Sequence, residues 1–112
     1  MPHIVVSHTA DIADDIAIIL PLLSQSLEDQ GVALDGIKSY AVPIGAAVNA
    51  GTPNATLVHI NLRVMRKSGR THAVVTQWLR ALTDIVTREI KTPHTLTAEA
   101  NFLPEIYISA TA

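Results

Sequence analysis

Between positions 56 and 65, Val58, Ile60, Leu62 and Val64 alternate with Leu57, His59, Asn61 and Arg63. Successive side chains of a strand point to opposite faces, so this stretch predicts a strand with one apolar and one polar face. Such a strand belongs in a sheet whose apolar face is covered by another layer. Two stretches of 3.6-residue periodicity can supply that layer. In the first, Thr9 and Asp11 are candidate caps, and apolar residues recur at Ile12, Ile16, Ile19, Leu20, Leu23 and Leu27. Asp14, Asp15, Gln25, Glu28 and Asp29 fall on its other face, and Gly31 can end it. Pro21 lies in the middle, so the main helix either begins there or is kinked there. In the second stretch Thr71 can cap a helix carrying Val74, Val75, Trp78, Leu82, Ile85 and Val86. Arg88 and Lys91 suit its negative end, and Thr92-Pro93 closes it.

Three further strands complete the pattern. Residues 4–6 are β-branched from the start of the chain, residues 37–43 alternate Ile37, Ser39, Ala41 with Lys38, Tyr40, Val42, and residues 94–102 follow the second helix. Residues 44–54 hold two Gly and a Pro and read as loop, and residues 105–109 read as a short terminal strand. The order strand, helix, strand thus occurs twice, about fifty-five residues apart, as an internal duplication would give. The expected fold is a single α/β (α+β) domain over residues 1–112: duplicated β-α-β units forming a four-stranded sheet with two helices on one face.

Hydrophobic residues make up 48% of the chain and charged ones 16%, more apolar than so small a domain can hide alone, which predicts a homo-oligomer. The other reading is that Ala and Val are scattered over the surface. Net charge is −2 and the Lys and Arg are dispersed, which gives a nucleic-acid backbone no footprint. No Cys is present, so disulfides and thiolate chemistry are excluded. Residues 16–23 are too short to span a bilayer and follow acidic residues, so no membrane partner or export signal is expected and the cytoplasm is the expected location.

Gly-rich phosphate loops, GxSxG, HExxH and EF-hand patterns are missing, and the five His, at 3, 8, 59, 72 and 94, have no metal-ligand spacing. No metal site is expected, and each His is read as a strand or surface residue. The distinctive feature is Pro2 directly ahead of an apolar strand. Methionine before a small residue is commonly removed, which would leave a secondary amine anchored in a sheet. An α-amino group titrates near about 7.7–8.0, and desolvation or neighbouring cations lower it, giving a base at neutral pH. Many chains begin Met-Pro with no catalytic consequence, so on these residues alone both readings of Pro2 stand.

The opening PHIVVSHTADI, the strand GIKSYAVP, the strand VHINLRVM and the turn SGRT together resemble the 5-carboxymethyl-2-hydroxymuconate isomerase family of the tautomerase superfamily, over almost the whole chain. The resemblance implies a homotrimer with active sites near subunit boundaries. It also implies conversion of an unsaturated 2-hydroxy or 2-oxo dicarboxylate between dienol and enone forms, without metal or organic cofactor. Pro2 would be the general acid-base. Arg70 matches the family's arginine in the turn before the second helix, where a guanidinium suits a carboxylate. Lys38 stands where relatives carry a second arginine, keeping the charge and losing the planar fork. Ser7 replaces a common acidic residue, and the carboxyl-terminal segment is short and apolar. Three readings follow: an isomerase of this type, another Pro2-dependent enzyme that tautomerises, decarboxylates or hydrates 2-oxo acids, and a non-catalytic trimeric scaffold or binding module.

Overall fold

A computed structural model describes residues 2–112 of the chain. Its elements are β1 (His3–Thr9), a 3-10 turn (Ala10–Ile12), α1 (Ala13–Asp29), a second 3-10 turn (Leu34–Gly36), β2 (Lys38–Ile44), β3 (Val48–Asn49), β4 (Thr52–Pro53), β5 (Leu57–Val64), α2 (His72–Glu89) and β6 (Thr95–Phe102). Four strands form one mixed sheet in the order β2-β1-β5-β6. Each outer strand runs parallel to its inner neighbour, and β1 and β5 run antiparallel at the centre. The two β-α-β halves expected from the sequence are therefore joined back to back, which sets the start of β1 beside the end of β5.

One face of this sheet carries the core. Ile4, Val6, Val58, Ile60, Leu62 and Val64 are buried there against Ile16, Ile19, Leu23 and Leu27 of α1 and Val75, Trp78, Leu82 and Val86 of α2. At about 25 cal/mol per Å² of apolar surface removed from water, this layer is the main force holding the fold. The periodicities that announced the helices are the ones buried.

Helix α1 is continuous from Ala13 and does not start at Pro21. Pro21 removes the donor that would meet the Ala17 carbonyl, but both residues are exposed, so water can satisfy that oxygen. The helix ends in a Schellman motif: Gly31 has φ 98°, its N–H donates to Glu28 O, and Val32 N–H donates to Leu27 O with the Val32 side chain buried. Thr71 caps α2, its hydroxyl accepting from Val74 N at 3.2 Å, and Lys91 closes the other end by donating to Arg88 O. Among the described residues no helix is long and apolar enough to cross a membrane.

Two segments differ from expectation. The stretch read as loop contains the β3-β4 hairpin, whose turn residues Ala50 and Gly51 have φ 50° and 84°. The segment 105–109 is not a strand. Leu103 N–H still donates to Val64 O at 2.8 Å, but Pro104 lacks a donor and ends the pairing. The chain then crosses the open face of the sheet with Ile106 and Ile108 exposed.

Candidate active site

The antiparallel centre gathers the sequence-predicted residues at one end of the sheet. Pro2 is buried immediately before β1, and its carbonyl accepts from Lys38 N–H at 3.0 Å. The first residue of β2 is thus tied to the residue that leads into β1. In the alternation Pro2 falls on the side of Ile4 and Val6, toward the helices.

Arg70 reaches the same end from the turn that follows β5. Gly69, with φ 85°, lets that turn close, and Arg70 N–H donates to Lys67 O. The guanidinium donates through Nη1 to Met65 O at 3.0 Å and lies 5.6 Å from the ring centre of buried Trp78. Burial lowers its pKa from the ordinary value, though an arginine keeps its charge at any physiological pH. One of its five N–H groups is used, and the side chain borders an open cleft of about 430 Å³ with Val32, Lys67 and Trp78. Pro2 and Lys38 do not line this cleft. A larger one, 570 Å³, lies between α2 and β6 beside Arg66, His72 and Phe102, and includes none of the three predicted residues.

Lys38 is exposed on the face of the sheet that the helices leave open. Lys38 and Arg70 therefore flank the β1 start from opposite sides and do not share a cleft within one chain. Strand register defines the company of Lys38: His3 pairs with Lys38 on one side and Arg63 on the other, and Arg63 pairs with Asn101. Lys38, His3, Arg63 and Asn101 thus form one transverse row on the open face.

His3 is the best-fixed member of the row. Its Nε2 is 2.7 Å from the Tyr107 hydroxyl and its Nδ1 3.4 Å from that of Tyr40, with both phenol rings edge-on to the imidazole. Partial burial, followed by the charges of Lys38 and Arg63, pushes its pKa below 6.5. Two rows further along, His59 joins Thr97 and Glu99 at 2.7 Å each, and Asn101 donates to Glu99 and Asn61. Those hydrogen bonds from Asn101 and His59 hold the Glu99 carboxyl below its usual range.

Sequence reasoning singled out Pro2, Lys38 and Arg70 and missed His3, Tyr40, Arg63 and Tyr107. His3 and Arg63 stand on the polar side of their strands, where alternation could have placed them. Tyr107 carries no local signal, because its partner lies at the other end of the chain.

No family model matches the chain, and no curated protein matches it. Solved structures do. The chain is similar to a 5-carboxymethyl-2-hydroxymuconate isomerase from Deinococcus radiodurans R1, with a TM-score of 0.79 and 21% identity over 98% of this chain and 88% of that one. It is similar to the Q0 fused 4-OT symmetric trimer, with a TM-score of 0.77 and 16% identity over 96% and 90% of the two chains. It is also similar to Pt0534, solved after inactivation by 2-oxo-3-pentynoate, with a TM-score of 0.74 and 18% identity over 96% and 91%. At these identities the likeness is one of fold, and over nearly its whole length this chain shares the small α+β fold of these structures.

Proposed function

We propose that this protein is a cofactor-independent tautomerase that moves a proton between the enol oxygen and a carbon of an unsaturated 2-hydroxy or 2-oxo dicarboxylate. The observation that carries this reading is the tautomerase-like fold with Pro2 held at the head of β1, at the sheet end shared with Lys38 and the Arg70 turn. With Met1 removed, Pro2 has a secondary amine. Desolvation at the buried head of β1 disfavours the charged form of that amine. The neutral nitrogen takes the enol O–H proton as the oxygen becomes a carbonyl, and the ammonium returns that proton to the distal carbon of the conjugated system. Arg70, with unused donors, holds a carboxylate.

The working form is a homotrimer in this reading, as in the fused 4-OT structures. Tyr40 and Val42 on the open face, with Ile106 and Ile108 of the tail, are exposed apolar groups that neighbouring copies would cover.

Intact mass of untagged protein tests the first requirement, a chain beginning at Pro2. Retained methionine in active protein rules out the mechanism. Pro2→Ala is expected to slow ketonisation of a hydroxymuconate-type dienol, followed by ultraviolet absorbance, by about a hundredfold or more. Unchanged turnover removes Pro2 from the chemistry. Lys38 in place of the family's arginine, with the likeness to Pt0534, favours a second reading in which the same amine works on a simpler 2-oxo acid. Under either reading 2-oxo-3-pentynoate should add covalently to Pro2, and only turnover of the two substrate classes separates them.

A further inference from the structure

Charge is divided unevenly along the chain. Residues 1–37 contain six Asp and Glu and no Lys or Arg, so all eight of those cations stand at or after Lys38. Helix α1 lies wholly in the acidic part. Its last turn ends on Glu28 and Asp29 with no basic residue, although acids are disfavoured at the negative end of a helix. Among the described residues no basic nitrogen lies within 4 Å of the Asp14, Asp15, Glu28 or Asp29 carboxylates, and Gln25 donates to the last two. Between these acids the outer surface of α1 is apolar: Ala17, Ile18, Pro21 and Leu22 are exposed and adjacent, Ile18 at 67%. Isolated exposed apolar side chains need no explanation, whereas a contiguous patch rimmed by polar groups marks an interaction site. The patch runs into a groove of about 410 Å³ between the helices, lined by Leu22, Ala81 and Ile85 and by the charged Asp29, Asp84 and Arg88. Arg88, the one cation there, is paired with Glu89 at 3.0 Å. The Ala17 carbonyl, which Pro21 deprives of its helical donor, belongs to the same patch.

We propose that the outer face of α1, with the α1-α2 groove, docks a basic amphipathic helix of another protein. The apolar side of such a helix covers Ile18, Leu22 and the groove, and its flanking Lys or Arg side chains meet Asp14, Asp29 and Asp84. One of those cations can also donate to the Ala17 carbonyl. From Ile18 to Asp29 α1 rises about 16 Å, matching three turns of a partner helix, and two packed helices offer a groove that a third can fill. Charge selects the occupant. An acidic helix or an anionic lipid surface is repelled, and a neutral helix leaves the acids of the last turn unrelieved. Two copies meeting through this face would set like charges together. The face also lies on the helical side of the sheet, away from Tyr40 and Val42, so docking leaves the open face free for assembly.

The probe is a fluorescein-labelled, amidated peptide of Leu and Lys, about four helical turns long, spaced so that every Leu falls on one face. Its counterparts carry Gln or Glu in place of each Lys. Fluorescence anisotropy with the native protein should show the Lys peptide bound about tenfold or more tighter than the Gln peptide, with the Glu peptide unbound. Added salt should weaken the Lys peptide, because the acids are exposed. The double variant Ile18→Ser, Leu22→Ser should lose about tenfold in affinity, and so should Asp29→Asn with Asp84→Asn. Val48→Ser, at an exposed apolar position on the hairpin, should bind as wild type does. Melting temperatures verify that each variant folds. No turnover is measured, so the result stands apart from the Pro2 mechanism. Equal binding of the Lys and Gln peptides, or undiminished binding by the Ile18→Ser, Leu22→Ser protein, would overturn the proposal. Concentration-dependent self-association of the native protein that this double variant abolishes would overturn it too, by giving the face to a second copy.

Discussion

The Nε2 of His3 lies 2.7 Å from the hydroxyl of Tyr107, a bond between positions 104 residues apart. It pins the carboxyl-terminal segment over β1 at the residue next to Pro2, so the stability of that corner depends on the state of one imidazole. In the folded chain the ring is partly buried and faces Lys38 and Arg63, which favours its neutral form and puts its pKa below 6.5. The unfolded chain then binds more protons across the interval beneath 6.5, and stability rises with pH there. The His3 contribution is present above pH 6.5 and is lost as pH falls through the folded value. The melting temperature should accordingly drop between pH 7.5 and 5.5, and His3→Gln should flatten that slope. Asp11 and Glu99, whose carboxyls are held low by hydrogen bonds, contribute losses only at more acidic pH. A slope in this interval that is unchanged in His3→Gln would place its origin elsewhere.

Arg70 is held at two points, Met65 O and the Trp78 ring, which fixes its direction and leaves most of its donors for a ligand. Arg70→Ala should raise the KM for dicarboxylates by about tenfold or more, consistent with a lost charge-assisted contact, and should affect neutral enols less. Arg70→Lys should recover part of the loss, since charge returns without the fork. Steady-state kinetics on both substrate types measures this, and equal effects on the two would contradict a carboxylate anchor.

What could be read from the sequence divides along the range of the interactions. Helices α1 and α2 and strand β5 were legible because burial imposes a local period, and Ile16 to Leu27 or Val58 to Val64 show it within a few residues. The Schellman stop at Gly31 and the Thr71 cap are local too. The segment 105–109 misled because Ile106 and Ile108 have strand character, while the donor missing at Pro104 and the pull of His3 on Tyr107 decide its path. At the site, Pro2, Lys38 and Arg70 came from short motifs. The row around His3 depends on register between three strands, which no single window of sequence contains.

The β3-β4 hairpin was hidden for a different reason, and that reason can be measured. A two-residue turn with both central residues at positive φ is the type I′ arrangement, whose usual sequence is Asn-Gly. Here the first position is Ala50 at φ 50°, where an ordinary side chain crowds its own backbone at a cost of roughly 1–2 kcal/mol. Asparagine tolerates that conformation better, so Ala50→Asn should stabilise the protein by about 0.5–1 kcal/mol in urea unfolding. Gly51 is at φ 84°, and a Cβ built there would meet nothing within 4 Å, so any penalty for Gly51→Ala is one of backbone conformation alone. That variant should lose about 1 kcal/mol or more. The hairpin touches the body of the fold through Asn49 and Thr95, far along the strands from Pro2, so catalytic constants should stay unchanged in both variants. An Ala50→Asn protein less stable than wild type would mean that the turn gains from the alanine something other than its backbone angles.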